Sequence, residues 1–282
     1  MNAPEEVAAA AQLACLLEVS APKPGNVSPA RHFHDTRYED FLASAVAIGP
    51  AMAAAGEQPL GATILAAVEA TARRVRSNTN LGIILLLAPL AKAARRADGP
   101  LRARVRQVLD ATTVDDAARV YAAIRRARPG GLGAAAAEDV SAAPTVSLRG
   151  AMALAAERDS VAREYATDFA ITFEVGTPAL RTARDAGLDW ADATVECYLR
   201  ILAAAPDTHI ARKLGREEAE RIARRAREVT EAGGVRSDAG RRELEAFDAE
   251  LRGRTNARNP GTTADLTCAA LFVVILEDSW NR

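Results

Sequence analysis

Cysteine is scarce in this sequence. Cys15, Cys197 and Cys268 lie far apart inside apolar helical patterns, which excludes a disulfide framework and a paired-cysteine zinc site and fits a reducing cytoplasm. Net charge is lacking too: 36 Lys+Arg against 37 Asp+Glu leave −1, so no global field directs the chain to nucleic acid or an anionic membrane. Any polyanion must be met by local charge. The N-terminus has no basic segment leading into an apolar stretch, and the strongly apolar runs at 81–91 and 264–276 fall short of the roughly 20 residues a membrane span needs. Both read as buried core helices. Internal repeats and composition-shifting linkers are also missing, so the expectation is one domain over residues 1–282.

Alternating β-branched runs are rare, whereas apolar residues recur at helical spacing almost throughout, and alanine, the best helix former, is abundant. The fold class is therefore all-α with about a dozen helices. They are expected at 4–19, 38–55, 60–76, 81–97, 101–110, 113–126, 148–170, 178–186, 190–204, 216–232, 238–252 and 263–277. Thr177 before Pro178, Ser147 and Ser237 stand where N-caps belong, and Gly187 closes the short helix after Thr177. The charge-rich stretch 216–232 reads as a helix with a solvated outer face.

Unusual residues collect in the connections, where binding and catalytic groups concentrate. The first connection runs from Glu18 through Pro22-Lys-Pro-Gly-Asn26 to Arg31-His-Phe-His-Asp35. Two prolines stiffen the backbone around Lys23 and Gly25 permits a tight turn. That arrangement offers Lys23 to a phosphate, or leaves an exposed lysine on an ordinary Pro-Gly turn. His32, His34 and Asp35 form a string able to ligate a transition metal or move a proton, but without further ligands at defined spacing it is weak evidence for zinc. His209 is the third and last histidine; only the fold can bring it to the other two.

Ser77-Asn-Thr-Asn-Leu-Gly82 enters an apolar helix directly. One cap needs one polar side chain, so Asn78, Thr79 and Asn80 together favour a helix start that faces an anionic ligand. In Pro129-Gly-Gly-Leu-Gly133 the amides around Gly131 can approach a phosphate, yet the segment lacks the Lys-Ser/Thr ending of a P-loop and reads equally as a hinge. Asp139 beside it suits Mg²⁺, which takes a few carboxylates plus substrate phosphates. Asp159 falls on the apolar stripe of Met152, Ala155, Ala162 and Phe169, where an acid needs a cation or a partner such as Arg149 or Arg163; Glu157 is a weaker candidate. Asp265 is the only charge from Ala264 to Leu276. It suits a metal, a ligand, a buried partner, or the dipole of a helix start, while Thr262 and Thr263 cap that start or touch a phosphate.

The ordered set of Pro-Lys-Pro-Gly-Asn at 22–26, Asp35 with Phe41-x-x-Ser44-Ala45, Ser-Asn-Thr-Asn-Leu-Gly at 77–82, Leu-Leu-Ala-Pro-Leu at 86–90, Gly-Gly-Leu-Gly at 130–133, Glu-Asp-Val at 138–140, Leu148-Arg149 with Met152, and Glu-Arg-Asp at 157–159 resembles the triphosphoribosyl-dephospho-coenzyme A synthase family. The tail departs from it. Where the acyl-carrier enzymes look like Ser-Pro-Gly-Gly-Ser-Ala-Asp-Leu, this chain has Asn-Pro-Gly-Thr-Thr-Ala-Asp-Leu at 259–266, a form that resembles a branch seen with methanopterin-linked one-carbon metabolism. The acceptor is put in doubt by that departure more than the fold is.

The resemblance implies that ATP donates its triphosphoribosyl group to the 2′-hydroxyl of dephospho-coenzyme A and that adenine leaves. It implies Glu18, Asp35 and Asp159 as catalytic candidates, Lys23, Gly25, Asn26, Asn78, Thr79, Asn80, Gly131, Arg149 and Thr263 as nucleotide contacts, and Asp139, Asp159 and Asp265 as Mg²⁺ ligands. Two other readings stay open: an Mg²⁺-dependent nucleotide or ADP-ribosyl hydrolase of helical fold, and a non-catalytic helical interaction protein. A homodimer also stays open.

Overall fold

The structure is a computed structural model that describes residues 1–131, 133, 135, 137–253 and 256–277. Leu132 of the Gly-Gly-Leu-Gly segment lies outside them. Among the described residues there are fourteen α-helices, short 3-10 and π turns, and no strand, as an all-α chain requires. The helices are α1 (Pro4–Ser20), α2 (Tyr38–Ala53), α3 (Leu60–Ala72), α4 (Leu81–Ala94), α5 (Leu101–Asp110), α6 (Val114–Ala127), α7 (Leu148–Ala155), α8 (Ser160–Ala166), α9 (Thr177–Asp185), α10 (Trp190–Ala204), α11 (Thr208–Leu214), α12 (Arg216–Glu231), α13 (Asp238–Leu251) and α14 (Gly261–Glu277). Among the described residues no helix is long and apolar enough to cross a membrane. Contacts gather into two units: Met1–Leu16 with Glu39–Ala170 and the end of α14 from Ile275, and Leu17–Tyr38 with Ile171–Val274. Neither is a continuous stretch of chain, which is why no linker shows in the sequence.

In the first unit α3 packs on α6, α4 on α5, and α7 on α8. Helix α4 is buried almost all round, from Ile83 and Ile84 through Leu90, the expected fate of an uninterrupted apolar helix. Two helices here contain proline, and each proline removes an amide that would bond the carbonyl four residues earlier. Both freed carbonyls are met from another helix. Pro89 frees Leu85 O, which accepts the Tyr165 hydroxyl of α8 at 2.7 Å; Pro50 frees Val46 O, which accepts Gln12 Nε2 of α1 at 3.1 Å. The sequence thus dictates the gaps, and packing supplies donors to fill them.

In the second unit α10, α12 and α13 bury a core that includes Tyr198, Leu202, Ile222, Val229 and Phe247. The charge-rich helix α12 has the expected amphipathic form: Ala219, Ile222, Ala223, Ala226 and Val229 turn inward. Its other face is laced by ion pairs, Arg221 with Glu218 and Glu250, and Arg225 with Glu243.

Three expectations need correction. The helix expected over 148–170 is two helices, because Asp159 leaves helical geometry at φ −142° and its Oδ1 accepts from Val161 N and Ala162 N as the N-cap of α8. A periodicity that runs through a break cannot reveal the local side-chain bond that makes it. Thr177 is not a cap either: α9 continues from the π turn Thr172–Gly176, and the Thr177 hydroxyl is buried without a hydrogen bond among the described residues. Finally α11 was not expected at all, since its seven residues are too few to show a period. Ser147 and Ser237 do cap their helices, accepting from Gly150 N and Gly240 N.

The proline gap in α4 yields a double-mutant cycle. Tyr165→Phe strands the buried Leu85 carbonyl and should destabilise the protein by about 1–3 kcal/mol in denaturant unfolding. In a Pro89→Ala background, where an amide at 89 can bond Leu85 O, the same change should cost clearly less. Equal costs in both backgrounds would disprove the account.

Candidate active site

In the second unit the Pro22–Asn26 segment leaves α1 and is fastened at Lys23, Pro24, Gly25 and Asn26. Lys23 is only 1% exposed and Glu18 3%. The Lys23 ammonium donates to Glu18 O and to Ala21 O, the latter at 3.2 Å, and lies 3.0 Å from Glu18 Oε1, which is placed as an ion partner outside hydrogen-bond geometry. Burial pushes the Glu18 carboxyl up from its ordinary value and the adjacent ammonium pulls it back. Both sequence readings of Lys23, a phosphate-facing group and an exposed turn residue, set its ammonium outward; the structure instead turns it into its own loop. The loop then continues over Tyr198, whose hydroxyl donates to Pro24 O at 2.8 Å.

Gly25 stands at φ +71°, and a Cβ there would lie 2.8 Å from Leu251 Cβ, so only glycine fits. Its amide donates to Asp248 Oδ1 at 2.8 Å. Arg252, paired with Asp248 at 2.7 Å, donates to Asn26 O, and Asn26 Nδ2 donates to Asn259 Oδ1 at 3.1 Å. A loop that looked freestanding in sequence is thus clamped by α13 and the segment after it. Beside it lies a cavity of about 160 Å³ lined by Gly25, His32, Phe33, His34, Arg252, Asn256 and Asn259, among others.

The histidine string sits at this cavity. His32 Nδ1 accepts from Tyr38 N at 3.1 Å, which fixes that nitrogen as unprotonated. Asp35 accepts from Asn256 Nδ2 at 3.0 Å and from the Thr36 hydroxyl at 3.3 Å, and its Oδ2 lies 3.8 Å from His34 Nε2. Asp35 and His34 are both exposed, so unlike Glu18 this carboxylate is oriented yet open to solvent.

Asp207 carries more of this unit than the sequence suggested. It is 2% exposed, and its two oxygens cap two helix starts at once. Oδ1 accepts from His209 N and Ile210 N of α11 at 2.8 and 3.0 Å, and Oδ2 from Thr263 N and Oγ1 of α14 at 2.7 and 2.8 Å. The Thr263 groups proposed for a phosphate are therefore already held by a carboxylate. Burial raises the Asp207 pKa and these four bonds oppose the rise. The signal that would have found it was an Asp three residues before an apolar turn, the spacing of a cap. His209 packs its ring against Gly261, where a Cβ would lie 2.3 Å from Nδ1. Burial, Lys213 and Arg212 hold its pKa down to about 3. Asp265 is half-buried near the start of α14.

The remaining candidates fall in the first unit. Asn78 Oδ1 caps Leu81 N at 3.1 Å, the Thr79 hydroxyl bonds Ser44 Oγ at 2.6 Å, and Asn80 Nδ2 donates to Thr71 Oγ1 at 3.2 Å. So Thr79 and Asn80 face inward and Asn78 stays exposed. Gly131 is exposed at φ +75°. Arg149 is an ion-pair centre, its two terminal nitrogens on Asp110 and Asp168, so its fork faces carboxylates. Asp139 folds its own loop: Oδ2 accepts from Ala135 N, Oδ1 from Ser141 N and Oγ, and these bonds hold its pKa at about 2.

These donors do not fit a preassembled magnesium centre. Both Asp139 oxygens are engaged, Asp159 serves a helix cap, and among the described residues no three His, Cys, Asp or Glu side chains gather as metal ligands.

A family model described as ATP:dephospho-CoA triphosphoribosyl transferase matches residues 4–282. Among curated proteins, the chain is 38% identical over 113 residues to a Stutzerimonas stutzeri protein provisionally described as a 2-(5''-triphosphoribosyl)-3'-dephosphocoenzyme-A synthase, covering 40% of this chain and 38% of that one. An Azotobacter vinelandii protein of the same description is 39% identical over 102 residues, 36% and 34% of the two chains. The chain thus spans under two fifths of these relatives' length. A crystal structure of an Archaeoglobus fulgidus protein, provisionally described as a triphosphoribosyl-dephospho-CoA synthase, superimposes with a TM-score of 0.65 at 29% identity, covering 84% of this chain and 99% of that one.

Two predictions follow from the buried groups. Lys23→Met leaves Glu18 buried without its cation and should destabilise by about 3–5 kcal/mol, whereas Lys23→Met with Glu18→Gln should recover most of the loss; equal unfolding midpoints for the single and double variants would refute the pairing. The His209 pKa is depressed on folding, so its contribution is fully present above the ordinary value of 6.5 and is lost as pH falls from there toward about 3. His209→Asn should flatten the stability-versus-pH curve across that window, and an unchanged slope would count against a neutral buried imidazole.

Proposed function

This chain belongs to the ATP:dephospho-CoA triphosphoribosyl transferase family, and on that premise we propose that it moves the triphosphoribosyl group of ATP to the 2′-hydroxyl of 3′-dephospho-CoA, or of a related acceptor, and releases adenine. The observation that carries this reading is the family match from residue 4 to 282, which encloses every loop singled out above. In the transfer a new bond forms between the acceptor oxygen and the anomeric carbon while the bond from that carbon to adenine breaks. The hydroxyl proton passes to a base, and the departing adenine takes up a proton from its surroundings.

Asp35 is the better base of the two candidate carboxylates, Glu18 and Asp35, in its unit. Its carboxylate is open to solvent and fixed by Asn256 and Thr36, while Glu18 is engaged with Lys23 and sealed from solvent. We assign Lys23 and Glu18 the role of shaping the Pro22–Asn26 turn, so that Gly25 and Asn259, the latter held by Asn26, line a fixed cavity wall. Amide groups and a nearby guanidinium suit the neutral and anionic oxygens of a nucleotide. Asn78 is assigned to the donor as an exposed amide at the start of α4.

The test is to incubate the protein with ATP, Mg²⁺ and dephospho-CoA and to follow free adenine and the coupled product by mass spectrometry. Adenine should appear only when the acceptor is present. Release from ATP alone would favour the hydrolase reading, and no release with any nucleoside-bearing acceptor would sink the transferase. Asp35→Asn should lower kcat by about 10²–10⁴-fold with little change in KM for ATP; wild-type turnover in that variant would remove Asp35 as the base.

A further inference from the structure

The connection between α3 and α4 carries Arg73, Arg74 and Arg76 immediately before Ser77-Asn78-Thr79-Asn80. All three arginines are exposed, and among the described residues none has a hydrogen bond or ion pair from its side chain. Other arginines of the same unit behave differently: Arg119 pairs with Asp115, Arg149 with Asp110 and Asp168, and Arg163 donates to Ala156 O. Even Glu69, one helical turn before Arg73 at the spacing that favours an ion pair, does not take it as a partner.

The segment that bears them is anchored. Arg74 N and Val75 N bond back to Thr71 O at 2.8 and 2.9 Å, the Val75 side chain is buried, and Thr79 and Asn80 are tied to Ser44 and Thr71. Buried positions thus alternate with outward cations on a short stretch whose backbone is held at both ends. Asn78 adds an exposed amide, its oxygen committed to Leu81 N and its Nδ2 without a partner among the described residues. A favourable contact with the α3 dipole accounts for Arg73, the residue that follows the helix, but Arg76 lies well beyond that end, and three like charges in four positions repel one another unless an anion joins them. In a chain of net charge −1 this is a local positive feature, not part of a general field.

We propose that Arg73, Arg74 and Arg76, with the Asn78 amide, receive the phosphoanhydride chain of a substrate. Guanidinium forks match phosphate oxygens two at a time, and three of them suit a chain of linked phosphates better than a lone carboxylate. The inference rests on the transferase reading for its choice of substrate, since both ATP and dephospho-CoA carry phosphoanhydrides, but the binding itself is measurable without turnover.

Calorimetric titration with inorganic tripolyphosphate at low ionic strength reads the site directly. The R73Q/R74Q/R76Q variant should bind about tenfold or more weakly than the wild type and keep its melting temperature, because no partner is lost inside the protein. An equal-charge control, R216Q/R224Q/R242Q on α12 and α13, should bind as the wild type does. Unchanged affinity in the first variant, equal weakening in both, or no wild-type binding overturns the proposal. In steady-state assays a raised KM for ATP assigns the arginines to the donor, and a raised KM for dephospho-CoA alone assigns them to the acceptor diphosphate. Wild-type protein that binds tripolyphosphate through these residues yet releases no adenine would remove the transferase reading and leave the anion site standing.

Discussion

A helix that starts inside protein, or that contains a proline, leaves backbone groups its own ladder cannot satisfy, and burial makes each of them costly. Both units of this chain are organised by that constraint. Leu85 O takes the Tyr165 hydroxyl and Val46 O takes Gln12, one carbonyl for each internal proline. Asp207 gives its two oxygens to the starts of α11 and α14. Because Tyr165, Gln12 and Asp207 each reach a second helix in this way, satisfying a local deficit also fixes how neighbouring helices meet.

The same logic separates residues that hold the site from residues left open to a ligand. Lys23, Arg149, Asp139 and Asp207 carry the charges a nucleotide site needs, yet each is committed to a protein partner. Such residues build stiff walls. Asp35, His34 and Asn78, together with the arginines before α4, remain exposed, and a binding group must keep unspent hydrogen-bonding capacity to act on a substrate. In the second unit the result is a fixed turn whose Gly25 lines a cavity together with Asn256, the residue that holds the open Asp35 carboxylate. That is a suitable arrangement for placing a hydroxyl and accepting its proton, since little reorganisation is needed once the substrate is seated.

Helical class and most helix positions were legible in the sequence because the 3.6-residue period is a local property of apolar spacing. The ordered loops were legible as well, and they carried the family resemblance that the match over 4–282 bears out. Legibility failed where a side chain reached its own or a distant backbone. The break at Asp159, the seven-residue α11 and the continuation of the π turn into α9 all depend on such bonds or on lengths too short for a period.

What the sequence determined by itself was therefore composition-driven: an all-α chain without disulfide framework or global charge, with prolines and glycines fixing where helices must be repaired or turned. Tertiary structure decided the fate of the charged residues. A lysine between two prolines is the same string of letters whether it faces phosphate or a buried glutamate, and only the chain folding back on Glu18 settles which. Distance in space sets the strength of a charge interaction, and sequence spacing does not report it beyond a turn or two of helix.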